Sequence, residues 1–515
     1  MPVLNEAIQQ RIRSMLERDE ARAVVVGLYE NGERSVIPFG EMSRSNSQPP
    51  DGDSLFEIGS VSKVFTALLA QSQVEAGRLS WDSTIGECID DIDFASEEVS
   101  NIRLRELASH TSGLPRIPDN MQLEDPLDPY AGYEREDLFA FLAAFAPDSL
   151  VKQYDYSNLG AGLLGVVAAD AAGLSFSEAM QRDVFQPMRL NDSWISVPDS
   201  ARQRLAAGFS QGADMPNWSG FDALAGAGVI VSSVNDLLDF IEQNLGTSGF
   251  SDELAAIRVP QGDGETALGW HIREHGGARV YWHNGGTGGY ASVLLMNMKE
   301  KTGVVLLTTS TAYDDVTAIG FAQLLGEESV TADLDLSAYP GSYQIAEGFL
   351  LSIFARDGRL FGQATGQGEF PLTPGAEHEF SNVAADIRIV FSGFDDGSAK
   401  LLTLFQSGRD TPAPRVAAEA PQVHRTVIDI DASRLEEYEG RYDLAPGVII
   451  TVESRDAQLF AQVTGQMAYP VFAYDTDRFF YKVVDAQLQF ERDAHGEVIA
   501  VILHQAGQTR ATRIN

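Results

Sequence analysis

The feature that most restricts the architecture of this chain is that part of it is written twice. Tyr339-Pro-Gly-Ser-Tyr343 returns as Tyr438-Glu-Gly-Arg-Tyr442, an offset of 99 residues. The same offset carries Leu360-Phe361 to Leu459-Phe460, Ala364-Thr-Gly-Gln367 to Val463-Thr-Gly-Gln466, and Asp386 to Asp485. It also carries Phe391 to Phe490, and Gln406 and Gly408 to Gln505 and Gly507. An unbroken offset signals two copies of one folding unit. Within each copy, short alternating segments lie between turn signals, the texture of small antiparallel barrels or sandwiches. We expect one copy over residues 331–420 and a second over 421–515, joined through the stretch from Pro412-Ala-Pro414 to Pro421. Aromatic runs there, such as Phe479-Phe480-Tyr481, read as core.

Residues 1–330 have a different texture. Ile8, Ile12, Met15 and Leu16 form an apolar stripe that predicts a helix over 5–18. Strands are predicted over Ala23–Tyr29 and Ser35–Phe39, with Glu30-Asn31-Gly32 as the turn between them. An apolar helix is predicted from Gly59 to Ala76, ended by Gly77, and mainly helical segments with long loops then run to about Gly262. Strands follow at Leu268–Ile272, Val280–Trp282, Ser292–Met298 and Gly303–Thr308, and a helix at Thr317–Leu325. Strands at both ends with a helical insertion between them predict one discontinuous α+β domain, with the terminal strands sharing an antiparallel sheet.

The bulk numbers exclude several classes. A chain of 515 residues with 44% hydrophobic content buries large cores, and two to four domains are expected. Asp plus Glu outnumber Lys plus Arg by 74 to 37, a net charge of -37, which disfavours nucleic acid and anionic membrane surfaces as partners. The lone Cys88 forms no intrachain disulfide and reads as a small apolar filler. Met1 to Asp19 is charged and lacks the apolar segment of a signal peptide, and no apolar run is long enough to span a bilayer, so a cytoplasmic location is expected. The eight histidines show no ligand spacing, so neither metal nor cofactor is expected. Oligomerisation is left open.

Three short motifs carry chemistry. The first is Ser60-Val-Ser-Lys63, which follows Phe56-Glu-Ile-Gly59 and opens the apolar helix. A serine at a helix start has free N–H groups and the positive dipole end nearby, and spacing i, i+3 puts Lys63 on the same face. Lodged among apolar groups, that lysine loses basicity and becomes a plausible base. Ser149-Leu-Val-Lys152 has the same spacing but opens no apolar helix and reads as loop. The second motif is Tyr156-Ser-Asn158, before a glycine-rich helix. A tyrosine near an ammonium sheds its proton more easily and can shuttle one to a leaving group, while Asn158 can orient the lysine and a substrate amide. The third is His283-Asn-Gly285-Gly286, which ends the Val280–Trp282 strand; its glycines let a substrate lie along the backbone. His275-Gly-Gly277 looks instead like a hairpin turn.

Together these motifs resemble the serine β-lactamase and penicillin-recognising hydrolase superfamily, in the branch of class C β-lactamases, D-aminopeptidases and related esterases. The likeness covers roughly residues 20–325. It extends to Leu104-Arg-Glu-Leu-Ala-Ser-His110-Thr-Ser-Gly113-Leu-Pro115, to Gly226-Ala-Gly228 with Ser232-Ser-Val-Asn-Asp236-Leu, and to Leu268-Gly-Trp270. The resemblance implies a β-lactamase-like catalytic domain over residues 1–330. It implies Ser60 as nucleophile, Lys63 as its activating partner, Tyr156 as second proton carrier, and Asn158 as a contact of lysine and substrate. It also implies an oxyanion hole from the N–H groups of Ser60 and Gly286, with Gly285 beside it. His283 stands where the lactamases carry lysine, which moves the expectation toward an ester, a small amide or a D-configured peptide as substrate. β-Lactamase or penicillin-binding activity is the alternative, and a non-catalytic binding or scaffold protein of the same fold is a third. The repeated tail also resembles the β domains of D-aminopeptidase-like relatives.

Overall fold

The computed structural model describes residues 1–121, 127–210, 212–218, 223–246, 250–262, 264–326, 336–346, 349–356, 359–365, 369–374, 378–382, 387–406, 409–417, 427–428, 430–445, 448–455, 457–464, 468–481, 486–493, 495–505 and 508–514. The chain divides into two compact units, Met1–Glu327 and Glu328–Asn515. The expected boundaries at 330/331 and 420/421, the linker end at Pro421, and repeat residues Gly366, Gln367, Asp386, Gly408, Gly465, Gln466, Asp485 and Gly507 lie outside the described residues.

The first unit is built on a six-stranded antiparallel sheet. Its strands are β1 (Ala21–Glu30), β2 (Glu33–Gly40), β5 (His271–His275), β6 (Ala278–Gly286), β7 (Ala291–Asn297) and β8 (Thr302–Ser310), in the order β2-β1-β8-β7-β6-β5. β1 and β8, from opposite ends of this unit's sequence, pair inside the sheet, with Val25 opposite Leu307. Both faces of β1 are covered, and its side chains divide by pleat. Val24, Val26 and Leu28 join α1 (Glu6–Glu17) and α5 (Tyr313–Leu325) in one core, while Ala23, Val25 and Tyr29 join the larger core of the insertion. That is why β1 reads as a continuous apolar run instead of an alternating one.

In the insertion, a short strand β3 (Leu55–Glu57) pairs with β4 (Val231–Ser233), which leads into α4 (Val234–Leu245). Beyond β3 come α2 (Ser62–Glu75) and α3 (Asn158–Ala172). α2 is apolar nearly all round because it runs through the middle of the larger core, so even Lys63 and Thr66 are buried.

Two elements depart from the sequence reading. The helix expected from Gly59 begins as a 3-10 turn, Gly59–Val61, because Gly59 takes a left-handed φ of +49°, and the α-helix opens only at Ser62. The strand expected at Leu268–Ile272 lies later, at His271–His275. There it forms with β6 a hairpin whose two turn residues, Gly276 and Gly277, both have positive φ.

In the second unit each repeat is a closed eight-stranded antiparallel barrel. One runs from β9 (Gly341–Ala346) to β16 (Arg409–Val416), the other from β17 (Gly440–Ala445) to β24 (Gln508–Arg513). Each closes by pairing its first strand with its last, Tyr343 with Arg415 and Tyr442 with Arg513. The repeated residues make the same contacts twice. Tyr343 donates its hydroxyl to the Tyr339 carbonyl at 2.7 Å, and Tyr442 does so to Tyr438 at 2.7 Å. Phe391 packs 4.8 Å from the Tyr339 ring, as Phe490 does 4.7 Å from Tyr438. Closure leaves no free edge strand. Phe479 and Tyr481 are core residues of the second barrel, as expected.

Candidate active site

The nucleophile candidate sits where the 3-10 turn meets the end of β6. A Cβ on Gly59 would lie 2.5 Å from the Gly286 nitrogen, and one on Gly285 would lie 2.0 Å from the Ile58 carbonyl oxygen. Only glycines allow this approach of turn to strand, and the approach brings the backbone of Ser60 and the Gly286 N–H to one place. The Ser292 hydroxyl ties the junction by donating to the Ile58 carbonyl at 2.8 Å. β6 does not stop at Trp282 as the sequence reading had it. It runs on to Gly286, with His283 opposite Leu294 and Gly286 opposite Ala291, because ladder pairing with β7 overrides the poor strand propensity of Asn-Gly-Gly.

Lys63 projects from the first turn of α2, 2% exposed. Its Nζ is 3.0 Å from Ser60 Oγ and donates to the Ala227 carbonyl at 2.6 Å. Burial, with the charge of Arg116 as a smaller cause, holds its pKa well below the ordinary 10.5, so the amine is poised to lose its proton. The loop carrying Ala227 is pinned to α2 by Thr66 Oγ1 donating to the Gly226 carbonyl at 2.8 Å, and by Ser62 Oγ accepting from Ile230 N at 3.0 Å.

Tyr156 immediately precedes the N-cap of α3, where Ser157 Oγ accepts from Gly160 N at 2.9 Å. Its ring lies 4.8 Å from Lys63 Nζ, and the Ser60 side chain is among the groups acting on its hydroxyl. Burial pushes this phenol up, and Ser60 and Arg116 only partly oppose it, so Tyr156 holds its proton more firmly than a free tyrosine. Here desolvation outweighs the Arg116 charge.

Asn158 is close but differently engaged than expected. Its Nδ2 donates to Tyr130 OH at 2.9 Å, and its buried Oδ1 has no hydrogen-bond partner among the described residues. The ammonium contact expected of it is taken by the Ala227 carbonyl. His283 is buried at 1% exposure. Its Nδ1 donates to the Asn284 carbonyl at 2.6 Å, which leaves Nε2 as a lone-pair nitrogen, buried and without a partner among the described residues. Burial first, then His271 and Lys63, hold its pKa well below 6.5. It therefore brings no cation to the site.

Several residues here were not singled out from sequence. His271, on β5, lies 4.8 Å ring to ring from His283 and 6.3 Å from Tyr156; burial, then Lys63, lowers its pKa to about 4. The His110 ring lies 4.4 Å from that of Tyr156, tilted by 35°, and its Nδ1 accepts the Ser157 N–H at 3.2 Å. Glu57, buried three residues before Ser60, accepts from Asn217 Nδ2 and Trp218 N, both at 2.9 Å, and burial raises its pKa to about 7. The strings containing Glu57, His110 and Ala227 were visible as long matches, but their roles come from tertiary contacts. The lookalikes fall elsewhere: Lys152 pairs with Glu106 at 2.7 Å, and His275 precedes the β5–β6 turn. Among the described residues no cluster of His, Cys, Asp or Glu is arranged to hold a metal, and no single helix is long and apolar enough to cross a membrane.

Residues 8–326 match the Beta-lactamase family model, and residues 424–513 match a domain of unknown function, DUF3471. A Beta-lactamase of Providencia stuartii is 28% identical over 243 residues, 47% of this chain and 60% of that one. Penicillin-binding protein 4* of Bacillus subtilis (strain 168) is 25% identical over 432 residues, 73% of this chain and 91% of that protein. The fold is shared with a β-lactamase/D-alanine carboxypeptidase from Pseudomonas syringae, at TM-score 0.55 and 23% identity, over 62% of this chain and 98% of that one. It is also shared with a class C β-lactamase from Rhodobacter sphaeroides, at TM-score 0.54 and 24% identity, over 62% of this chain and 99% of that one. A discontinuous antiparallel sheet, the Ser60–Lys63 turn and a family model matching more than half of the sequence lead to one assignment: this chain belongs to the β-lactamase family of serine β-lactamase and penicillin-binding-protein-like hydrolases.

Proposed function

We propose that the protein hydrolyses ester or small amide bonds through an acyl-enzyme on Ser60. The observation that carries this reading is the 3.0 Å contact between Ser60 Oγ and a buried lysine of depressed basicity. Ser60 Oγ bonds to the substrate carbonyl carbon while its proton passes to the neutral Lys63 Nζ. The resulting oxyanion takes hydrogen bonds from the N–H groups of Ser60 and Gly286. As the carbonyl–heteroatom bond breaks, Tyr156, which holds its proton, gives it to the leaving oxygen or nitrogen and is resupplied from Lys63. Water then attacks the acyl carbon and frees Ser60 by the reverse path.

The substrate class follows from the third motif. His283, neutral and buried, offers no fixed charge for a carboxylate where lactamases carry lysine, which favours an esterase or a D-aminopeptidase-like amidase. The names of the relatives support a second reading, β-lactamase or penicillin binding. Turnover of 4-nitrophenyl acetate, D-alanyl-4-nitroanilide and nitrocefin, measured side by side, separates these. We expect the ester or the anilide to be the better substrate. Nitrocefin turnover exceeding both would favour the lactamase. No turnover of any of the three, together with no fluorophosphonate labelling of Ser60, would leave a non-catalytic protein of the same fold.

A further inference from the structure

Resting on the hydrolase reading, we propose that His110 is a positioning residue for this reaction: it holds Tyr156 toward the leaving group by gripping the residues on either side of it. The grip has two points. The His110 carbonyl accepts from Asp155 N at 2.8 Å, and its Nδ1 accepts from Ser157 N at 3.2 Å. Between these points the His110 ring lies 4.4 Å from that of Tyr156. His110 is 4% exposed, and burial, then the charge of Lys63, hold its pKa well below 6.5. A neutral ring keeps Nδ1 an acceptor for the Ser157 N–H.

The backbone of His110 is strained to make this grip. The short helix Leu104–Ala108 ends in a turn in which Thr111 N donates to the Glu106 carbonyl at 2.9 Å. His110 takes the left-handed position of that turn, with φ +58°, which glycine fills most easily. Among the described residues it is the one buried non-glycine residue with such a φ; the others stand at half-buried or exposed positions. A bulky residue stays in this region only where its surroundings impose it. Glycine would end the helix without strain, but it would bring no acceptor to Ser157 and no ring to Tyr156. A helical φ would carry the chain on along the helix axis and away from Asp155. The helix end therefore does not require a histidine, whereas the placement of Tyr156 uses its carbonyl, its ring nitrogen and its ring face.

Tyr156 gives its proton to the leaving oxygen as the ester bond breaks, so a displaced phenol costs most where the leaving group most needs that proton. 4-Nitrophenoxide departs readily without one, and phenoxide does not. Phenyl acetate and 4-nitrophenyl acetate form the same acetyl-enzyme, so the ratio of their kcat/KM values reports the acylation step alone. The test reads that ratio in two variants that both tolerate a left-handed backbone: His110→Gly, which lacks the acceptor, and His110→Asn, which carries one on a short side chain. We expect the phenyl to 4-nitrophenyl ratio to fall about tenfold in His110→Gly and to stay near the wild-type value in His110→Asn. A role confined to folding would lower Tm and leave the ratio alone. A ratio unchanged in His110→Gly, or one that falls equally in both variants, overturns the assignment and leaves the hydrolase reading standing. If His110→Gly does not fold or turns over neither ester, His110→Asn decides: the ratio kept upholds the assignment, and the same fall overturns it. No hydrolysis of either ester by the wild type, with no labelling of Ser60 by a fluorophosphonate, overturns both.

Discussion

At the scale of single residues, the site is governed by desolvation. Lys63 is the clearest case, since burial favours its neutral form. Activity should therefore rise with pH as Lys63 deprotonates, with the acid limb of kcat/KM well below the ordinary 10.5; a limb at the ordinary lysine value would contradict a buried base. Tyr156 is pushed the other way and stays a proton donor, so Tyr156→Phe should lower kcat by about 10²–10⁴ while leaving fluorophosphonate labelling of Ser60 detectable. Steady-state and labelling rates check that split. Glu57 gives a stability prediction. Its folded-state pKa, about 7 against 4.5, is raised, so its contribution is full below about 4.5 and is lost as pH rises through about 7. The buried carboxylate then costs on the order of 3 kcal/mol. Glu57→Gln should flatten the fall of Tm between pH 5 and 8, and an unchanged profile would show that Glu57 does not drive it.

At the scale of elements, the decisive contact is that between the 3-10 turn and the glycine end of β6. Gly59→Ala places a Cβ 2.5 Å from the Gly286 nitrogen and forces alanine into a φ of +49°. Neither backbone can yield, because β6 is held in its ladder with β7. We expect a loss of about 10²–10³ in kcat from a spoiled oxyanion hole, measured by steady-state kinetics beside a urea titration; full activity would mean that this junction is not the hole. Much of this region was legible in sequence. The long apolar run of β1, the helix carrying Lys63 and the hairpin glycines Gly276 and Gly277 are local signals, and the structure has them at nearly the expected positions. What was not legible depends on partners remote in sequence. Gly59 looked like a helix start because nothing local reveals its left-handed φ. β6 appeared to end before its glycines because only β7 supplies the pairing that extends it. His110, His271 and Ala227 meet at the motif residues through the fold alone. The burial of Tyr156, too, comes from the fold and is not a local signal.

At the scale of the whole molecule, the 99-residue repeat was the most dependable guide, because one tyrosine–phenylalanine contact set recurs in both barrels. The first unit holds its own two apolar cores, one on each face of the sheet. A fragment spanning residues 1–326 should therefore fold cooperatively by circular dichroism; a fragment without a thermal transition would show that this unit cannot stand alone. The net charge of -37 strains the folded state by self-repulsion, so Tm should rise as NaCl goes from about 0.05 to 0.5 M, and a fall would contradict that origin. The most direct test of the account as a whole is intact-mass analysis of the full-length protein quenched during turnover of 4-nitrophenyl acetate, with the adduct mapped by peptide sequencing. The account predicts one acetyl group on the peptide carrying Ser60, absent from Ser60→Ala. An adduct of equal yield in that variant, or one mapped to another residue, would contradict it.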